Sequence, residues 1–171
     1  SWHKWSESPY FDLKSFYETF DGGQSFAWDR QSDYIEGQFL KSIFRLRLEN
    51  NRIIFSIPKR ANLKKAKKAL AQYLAIDLDF DAMRDSLPWR SDPILKQAID
   101  AYPYLRILRQ PLSETLLGFL CSSTKQIPQI KQILRLSAES YGEPIFSHYK
   151  SLPTWDILEQ LEENQLSLIH I

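Results

Sequence analysis

The side chains that could carry catalysis or bind a metal are few and scattered. His3, His148 and His170 lie far apart in the chain, and no metal-ligand spacing surrounds them. The three aspartates between residues 77 and 81 alternate like calcium ligands, but they lack the loop glycine and the terminal glutamate, which favours solvated acids. The serines at 113, 122 and 123 lack a nucleophile-elbow context, and no glycine-rich loop is present to hold a phosphate. These patterns predict no metal and no cofactor, and they identify no catalytic residue.

Positive charge is concentrated in two stretches, although the net charge of the whole chain is only +1. Lys125, Lys131 and Arg135 form one stretch, and such clustering can create a phosphate-binding surface. The other stretch contains six cations and no acid, and we interpret it as the solvated surface of a helix. Its members are Lys59, Arg60, Lys64, Lys65, Lys67 and Lys68.

The first half of the chain has the pattern of an antiparallel sheet with one helix packed on it. Residues 43–48 partly alternate between apolar and polar types, and Asn50 and Asn51 tolerate the positive φ of a hairpin turn. Asn62 is predicted to cap a helix over about 63–74, with Ala66, Leu70 and Leu74 on its buried side. Strands followed by helices predict an α+β fold. The predicted strands cover 24–28, 34–39, 41–49 and 52–57, with Phe26 and Trp28 in the core.

The second half has the periodicity and capping signals of helices. We place the boundary near Trp89, which gives a sheet-and-helix domain over 1–88 and the first helices of an all-helical domain over 89–171. The predicted helix starts are Asp92-Pro93, Ser113, Pro128 and Thr154.

The composition indicates a globular protein of a reducing compartment. The chain is 43% hydrophobic and has one cysteine, Cys121, within an apolar run that favours burial. No apolar stretch is long enough to cross a membrane, and the N-terminus has no signal-peptide core. We therefore expect an intracellular protein, in the bacterial cytoplasm or in the nucleus of a eukaryote.

Two segments carry a resemblance to a known family. Residues 22–28 read Gly-Gly-Gln-Ser-Phe-Ala-Trp, and residues 105–111 read Leu-Arg-Ile-Leu-Arg-Gln-Pro, before a segment that ends Cys-Ser-Ser at 121–123. In this order and at this separation they resemble the 8-oxoguanine DNA glycosylase/AP lyase family. The resemblance extends from about residue 10 to about residue 166.

The resemblance implies a fold and a mechanism. The fold is a sheet-and-helix domain similar to the repeat of the TATA-binding protein, followed by a helix-hairpin-helix glycosylase domain. In the family the damaged nucleotide is flipped out of the duplex, and a lysine attacks the sugar and forms a Schiff base with the help of an aspartate. Those two residues lie beyond the hairpin, past the last residue of this chain, so we expect a C-terminally truncated fragment that is inactive by itself. The chain starts without Met, so we expect its start to be incomplete too. The tail Ser167–Ile171 fits the preceding pattern and the family poorly, from which we expect its last residues not to be native sequence.

The resemblance also implies recognition residues. Gly23 matches the glycine whose carbonyl accepts a hydrogen bond from N7 of 8-oxoguanine. After Ser123 the family has three asparagines and then an arginine at the DNA, whereas this chain departs from that pattern. The DNA-binding residues predicted here are Thr124, Lys125, Gln126, Gln129 and Lys131.

The expected partner is damaged double-stranded DNA, bound by a monomer without any membrane. Two alternatives stay open from the sequence. The first is a non-enzymatic DNA-binding module that uses the TATA-binding-protein-like sheet. The second is a related glycosylase for alkylated bases, which uses an aspartate without the lysine.

Overall fold

The computed structural model describes residues 1–147 and 149–168. His148, His170 and the end of the tail, 169–171, lie outside the described residues, so the predictions made for them stay predictions. In chain order the elements are β1 (His3–Lys4), α1 (Leu13–Asp21), β2 (Trp28–Arg30), β3 (Ile35–Phe39), β4 (Ser42–Glu49), β5 (Arg52–Ser56), α2 (Leu63–Tyr73), α3 (Phe80–Ser86), α4 (Pro93–Ala101), α5 (Leu112–Leu120), α6 (Ile127–Tyr141), β6 (Pro144–Phe146), β7 (Tyr149–Lys150), α7 (Trp155–Glu159) and α8 (Glu163–Leu168).

The chain divides into two compact units, and each is described by itself. The first unit comprises Ser1–Gly37 and Ile43–Arg109, and the second comprises Gln38–Ser42 and Gln110–Ile171. The domain boundary predicted after residue 88 stays a prediction, since compactness alone does not test it.

The sheet is five-stranded, in the order β1-β5-β4-β3-β2. The β4–β5 hairpin pairs Glu49 with Arg52 around Asn50 and Asn51, whose φ angles are 52° and 61°. This is the backbone conformation that a two-residue hairpin turn needs, so the turn prediction is confirmed. The mixed arrangement of an antiparallel sheet and packed helices confirms the predicted α+β fold class.

Helices α1 and α2 contribute to one aromatic core. Helix α1 begins after Asp12, whose carboxylate accepts from the Ser15 N–H at 2.6 Å. Its Phe20 ring lies 4.9 Å from the ring of Trp28 in β2. Helix α2 begins after Asn62, which accepts from the Lys65 N–H at 3.0 Å, so the predicted cap is confirmed. The buried residues of α2 and its C-cap include Ala66, Leu70, Tyr73 and Leu74.

Three local predictions were wrong. The strand predicted over 24–28 begins only at Trp28, because Gln24 and Ser25 hydrogen-bond to other segments rather than to a strand ladder. Phe26 is consequently half-buried rather than part of the core. Ser113 does not cap α5, since the helix begins at Leu112 and the carbonyl of Pro111 accepts the Thr115 N–H at 3.0 Å.

The other helix starts lie where the sequence predicts them. Asp92 accepts from the N–H groups of Ile94 and Leu95 at 2.9 and 3.0 Å, directly before Pro93. Helix α6 has Pro128 in its first turn, and α7 follows Thr154. Within residues 1–147 and 149–168, no helix combines the length and apolar character that crossing a membrane requires.

Candidate functional site

Gly23 lies in the turn that follows α1. Gly22 ends the helix by donating its N–H to the carbonyl of Glu18 at 3.1 Å. Gly23 then has φ of 102°, in the region that side chains of L-residues rarely adopt. The predicted recognition residue therefore occupies a backbone conformation that requires glycine.

The Gln24 side chain joins this turn to the second motif segment. Its Nε2 donates to the carbonyls of Thr19 and Arg106, both at 2.9 Å. Its Oε1 accepts from the Leu108 N–H at 3.0 Å. One amide thus satisfies three backbone groups, two of which lie more than 80 residues away in sequence. The conformation after Gly23 is fixed by a long-range contact rather than by the local sequence.

The hydroxyl of Tyr73, at the end of α2, holds the rest of the first motif. It accepts from the Trp28 indole Nε1 at 3.0 Å and hydrogen-bonds to Ser25 Oγ at 3.1 Å. Both contacts are buried. Ser25 Oγ also accepts from the Ala27 N–H at 3.3 Å. The polar and aromatic side chains of this motif therefore share one hydrogen-bond network, which follows the Gly23 turn in sequence.

The two arginines of the second motif secure the C-terminal end of α2. Arg106 donates through Nε and Nη2 to the carbonyls of Leu74 and Ala75, each at 3.0 Å. Burial lowers the pKa of the Arg106 guanidinium, against the effect of nearby aspartates. Arg109 makes a bidentate pair with Asp77 at 3.0 Å for both bonds. That hydrogen bonding holds the pKa of the Asp77 carboxyl below its ordinary value.

These contacts give the two motif segments a structural role that spacing alone does not predict. Gln24, Tyr73, Arg106 and Arg109 are absent from the predicted site. The only sequence signal for these contacts is the presence of the two motifs, because no periodicity relates residues 24 and 106. The aspartates interpreted as solvated acids also have protein partners, since Asp77 pairs with Arg109, and Asp79 caps α3 by accepting from the Ala82 N–H at 2.9 Å.

The predicted DNA-binding residues lie in the second unit, in the turn between α5 and α6 (Thr124, Lys125 and Gln126) and at the start of α6 (Gln129 and Lys131). Thr124 has φ of 59°, and the Lys125 N–H donates to the carbonyl of Ser122 at 3.1 Å. The carboxamide oxygen of Gln129 accepts from the Gln126 N–H at 2.8 Å, as in a capping box. Thr124, Lys125, Gln126 and Gln129 are exposed, while Lys131 is half-buried.

This geometry brings a cation to the N-terminal end of a fifteen-residue helix. The backbone N–H groups of the first turn and the Lys125 ammonium both favour an anion at this end. The Gln129 side chain hydrogen-bonds to the N-cap residue of its own helix, Gln126. The turn thus combines a positive charge with a helix N-terminus, whereas position 129 carries no forked cationic donor.

Cys121 ends α5 and is buried, as predicted. Burial raises the pKa of its thiol, so the thiolate form is disfavoured at neutral pH. Among residues 1–147 and 149–168, no group of three or more histidine, cysteine, aspartate and glutamate side chains is arranged to hold a metal ion.

Comparison with known proteins matches residues 9–116 to the family model described as 8-oxoguanine DNA glycosylase, N-terminal domain. No curated protein matches the chain by sequence.

Solved structures match over nearly the whole chain. The structure of MBOgg1 in complex with a low-affinity DNA ligand has 30% identity and a TM-score of 0.79, over 93% of this chain and 54% of that one. The apo form of Clostridium acetobutylicum 8-oxoguanine glycosylase/lyase has 26% identity and a TM-score of 0.81, over 94% and 55%. The same enzyme with double-stranded DNA that contains cytosine opposite 8-oxoG has 26% identity and a TM-score of 0.80, over 94% and 54%. The chain thus spans about 55% of the length of these solved proteins.

Proposed function

We propose, from the premise that this chain belongs to the 8-oxoguanine DNA glycosylase family, that it is the N-terminal part of a DNA glycosylase/AP lyase. The parent protein would act as a monomer on damaged duplex DNA and remove 8-oxoguanine by base flipping and Schiff-base chemistry. The observation that supports this best is the Gly23 turn, whose positive φ and Gln24 anchor fix one backbone carbonyl in place.

Gly23 would contribute the recognition of the lesion. 8-Oxoguanine carries a proton on N7, which can donate to a carbonyl, whereas N7 of guanine is an acceptor and would oppose that carbonyl. Guanine would therefore lose one hydrogen bond and gain a repulsion, so the carbonyl would favour 8-oxoguanine over guanine by a few kcal/mol at most. A rigid turn makes this contact selective, because a mobile carbonyl would turn away from guanine at little cost.

The α5–α6 turn would contact the DNA backbone. Lys125 and the N-terminal amides of α6 suit a phosphate, and such contacts position a protein on DNA without reading sequence. Because Gln129 supplies no positive charge, we propose that selection of cytosine opposite the lesion is looser than in relatives with arginine there.

The double variant Lys125→Ala/Lys131→Ala is expected to weaken binding of the chain to duplex DNA equally for different sequences. Losing two phosphate contacts should reduce the slope of log K against log salt by about two units. Fluorescence anisotropy with a labelled duplex, titrated at several salt concentrations, measures both quantities.

Lys4→Ala/Lys96→Ala is the matched control, since it removes the same charge from two exposed positions in the first unit. If both double variants lower the slope equally, only net charge matters. If Lys125→Ala/Lys131→Ala leaves both affinity and slope unchanged, the α5–α6 turn is not the DNA-binding surface.

The 171-residue chain alone is expected to form no covalent adduct with 8-oxoguanine DNA under borohydride reduction. None of its lysines lies in the family's nucleophile context, and trapping requires a Schiff base between an amine of the protein and the sugar. Gel analysis of the reduced mixture, with an active glycosylase/lyase as positive control, measures the outcome. A trapped band from this chain would show that one of its own amines, a lysine or the N-terminal amine, is the nucleophile.

A further inference from the structure

The first unit carries an unneutralised basic surface on α2. Lys64, Lys65 and Lys68 are exposed on the side of the helix away from the buried Ala66 and Leu70, and the half-buried Lys67 flanks the buried side. The exposed Lys59 and Arg60 precede this helix. In the described part of the chain, no carboxylate lies within 4.0 Å of any of these six cations. We call these six residues the α2 basic surface.

This arrangement of positive charge destabilises helix α2. Lys64 and Lys65 lie in the first turn of α2, where the helix dipole disfavours cations. Lys64 stands three and four residues before Lys67 and Lys68, so like charges face each other along the helix. Helix α2 contains no acidic residue that would offset either effect. Solvation, the interpretation made from the sequence, accounts for the exposure of these lysines but offsets neither effect, whereas an anionic partner would offset both.

The same lysines border an open groove of about 630 Å³. Lys64, Lys67 and Lys68 supply its positive charge, and Leu63, Ala71 and Ile76 supply apolar surface. Glu7 is the only carboxylate among the residues that line this groove. No aromatic side chain lines it, so it offers no platform on which unpaired bases could stack.

We propose that the α2 basic surface binds the phosphate backbone of duplex DNA, as a second contact besides the α5–α6 turn. Lysine suits this role because its ammonium is a point charge that binds phosphate without fixed geometry. A duplex presents phosphates in continuous rows, which match several lysines on neighbouring helical turns, and the missing stacking platform disfavours a single strand. The inference rests on the proposed function, since it takes DNA as the partner.

The test compares two triple variants of the 171-residue chain in salt-dependent titrations with an undamaged duplex. Lys64→Gln/Lys67→Gln/Lys68→Gln removes charge from the groove and keeps helix propensity, because glutamine and lysine rank closely. Lys4→Gln/Lys14→Gln/Lys96→Gln removes the same charge elsewhere in the first unit. The α2 variant should lower the salt slope by about two to three units and the affinity at low salt at least about tenfold. The control should change affinity by less than about twofold.

Glu7→Gln supplies a test in the opposite direction. Removing the carboxylate from the groove should tighten duplex binding by about twofold to threefold, a gain that damage to the fold cannot produce. Thermal melting of all variants reports on folding.

The outcomes separate this inference from the proposed function. If Lys125→Ala/Lys131→Ala weakens duplex binding while the α2 variant does not, the proposal for α2 is overturned and the proposed function stands. If the two triple variants lose equal duplex affinity, the effect comes from net charge alone, and the proposal for the α2 basic surface is also overturned. A parallel titration with labelled poly-glutamate decides the class of partner. If the α2 variant loses binding to poly-glutamate but keeps its binding to the duplex, the surface binds an acidic protein instead.

Discussion

Replacing Gln24 by glutamate (Gln24→Glu) is expected to lower the free energy of unfolding by about 3–5 kcal/mol at neutral pH. The substitution keeps the size and shape of the side chain but replaces the Nε2 donor by a carboxylate oxygen. The carbonyls of Thr19 and Arg106, now 2.9 Å from Nε2, would then face an acceptor. Each unsatisfied group in a partly buried site costs about 1–3 kcal/mol, and the repulsion adds to this.

The loss should shrink at acidic pH. Facing two carbonyls raises the pKa of the introduced carboxyl in the folded state above its unfolded value of about 4.3. Protonation then restores one O–H donor to the site. Because the carboxyl has a higher pKa in the folded state than in the unfolded state, the free energy of unfolding of the variant falls as pH rises above the unfolded pKa. As pH falls toward about 4, the variant recovers stability relative to wild type.

Denaturant unfolding at pH 7.5 and at about pH 4.5 measures both effects. Gln97→Glu is the matched control, since Gln97 is exposed on α4 and the charge change is the same. That control should stay within about 0.5 kcal/mol of wild type. A Gln24→Glu variant as stable as the control, at both pH values, would mean that the Gln24 hydrogen bonds do not hold the turn.

The elements whose pattern is local could be predicted from sequence. The Asn50-Asn51 hairpin follows from the tolerance of asparagine for positive φ, and α2 follows from the Asn62 cap and the spacing of Ala66, Leu70 and Leu74. The signals in these cases lie within a few residues of the structure that they cause. Physical chemistry of short segments is sufficient there.

Other features depend on contacts that sequence spacing does not reveal. Segment 24–28 has the residue types of a strand, but the bonds from Gln24 to Arg106 and Leu108 and from Ser25 to Tyr73 replace a ladder. Helix α1 is absent from the predicted elements, although Asp12 and the apolar residues after it carried a helix signal. The β6–β7 hairpin was likewise not predicted.

The candidate site divides in the same way. The resemblance predicts roles for Gly23 and for the turn after Ser123, because those positions match the family's motifs, and these roles stay predictions. It could not identify the carboxamide of Gln129 as a cap for its own helix, since that depends on a rotamer. Nor could it identify Tyr73, which lies outside both motifs and hydrogen-bonds through its hydroxyl to Ser25 and Trp28 of the first motif. Resemblance predicts candidate positions, while the hydrogen bonds that hold those positions require coordinates.

Replacing Gly23 by alanine (Gly23→Ala) in the proposed parent glycosylase is expected to reduce excision of 8-oxoguanine by about tenfold or more. At φ of 102° an L-alanine is strained by about 1–3 kcal/mol, so the backbone would shift and move the carbonyl. A misplaced carbonyl loses the proposed bond to the N7 proton, and 1.4 kcal/mol of that contact corresponds to a factor of ten in rate.

Cleavage at an abasic site is the internal control for this variant. An abasic substrate has no base to recognise, but it uses the same fold and the same Schiff-base chemistry, so its rate should fall much less. Single-turnover rates on matched duplexes containing 8-oxoguanine, guanine or an abasic site measure the effect, with the ratio of 8-oxoguanine to guanine expected to fall as well. If excision and abasic cleavage fall by the same factor, Gly23 is only a structural turn residue. If neither rate falls, the turn tolerates a side chain and the lesion is recognised by another group.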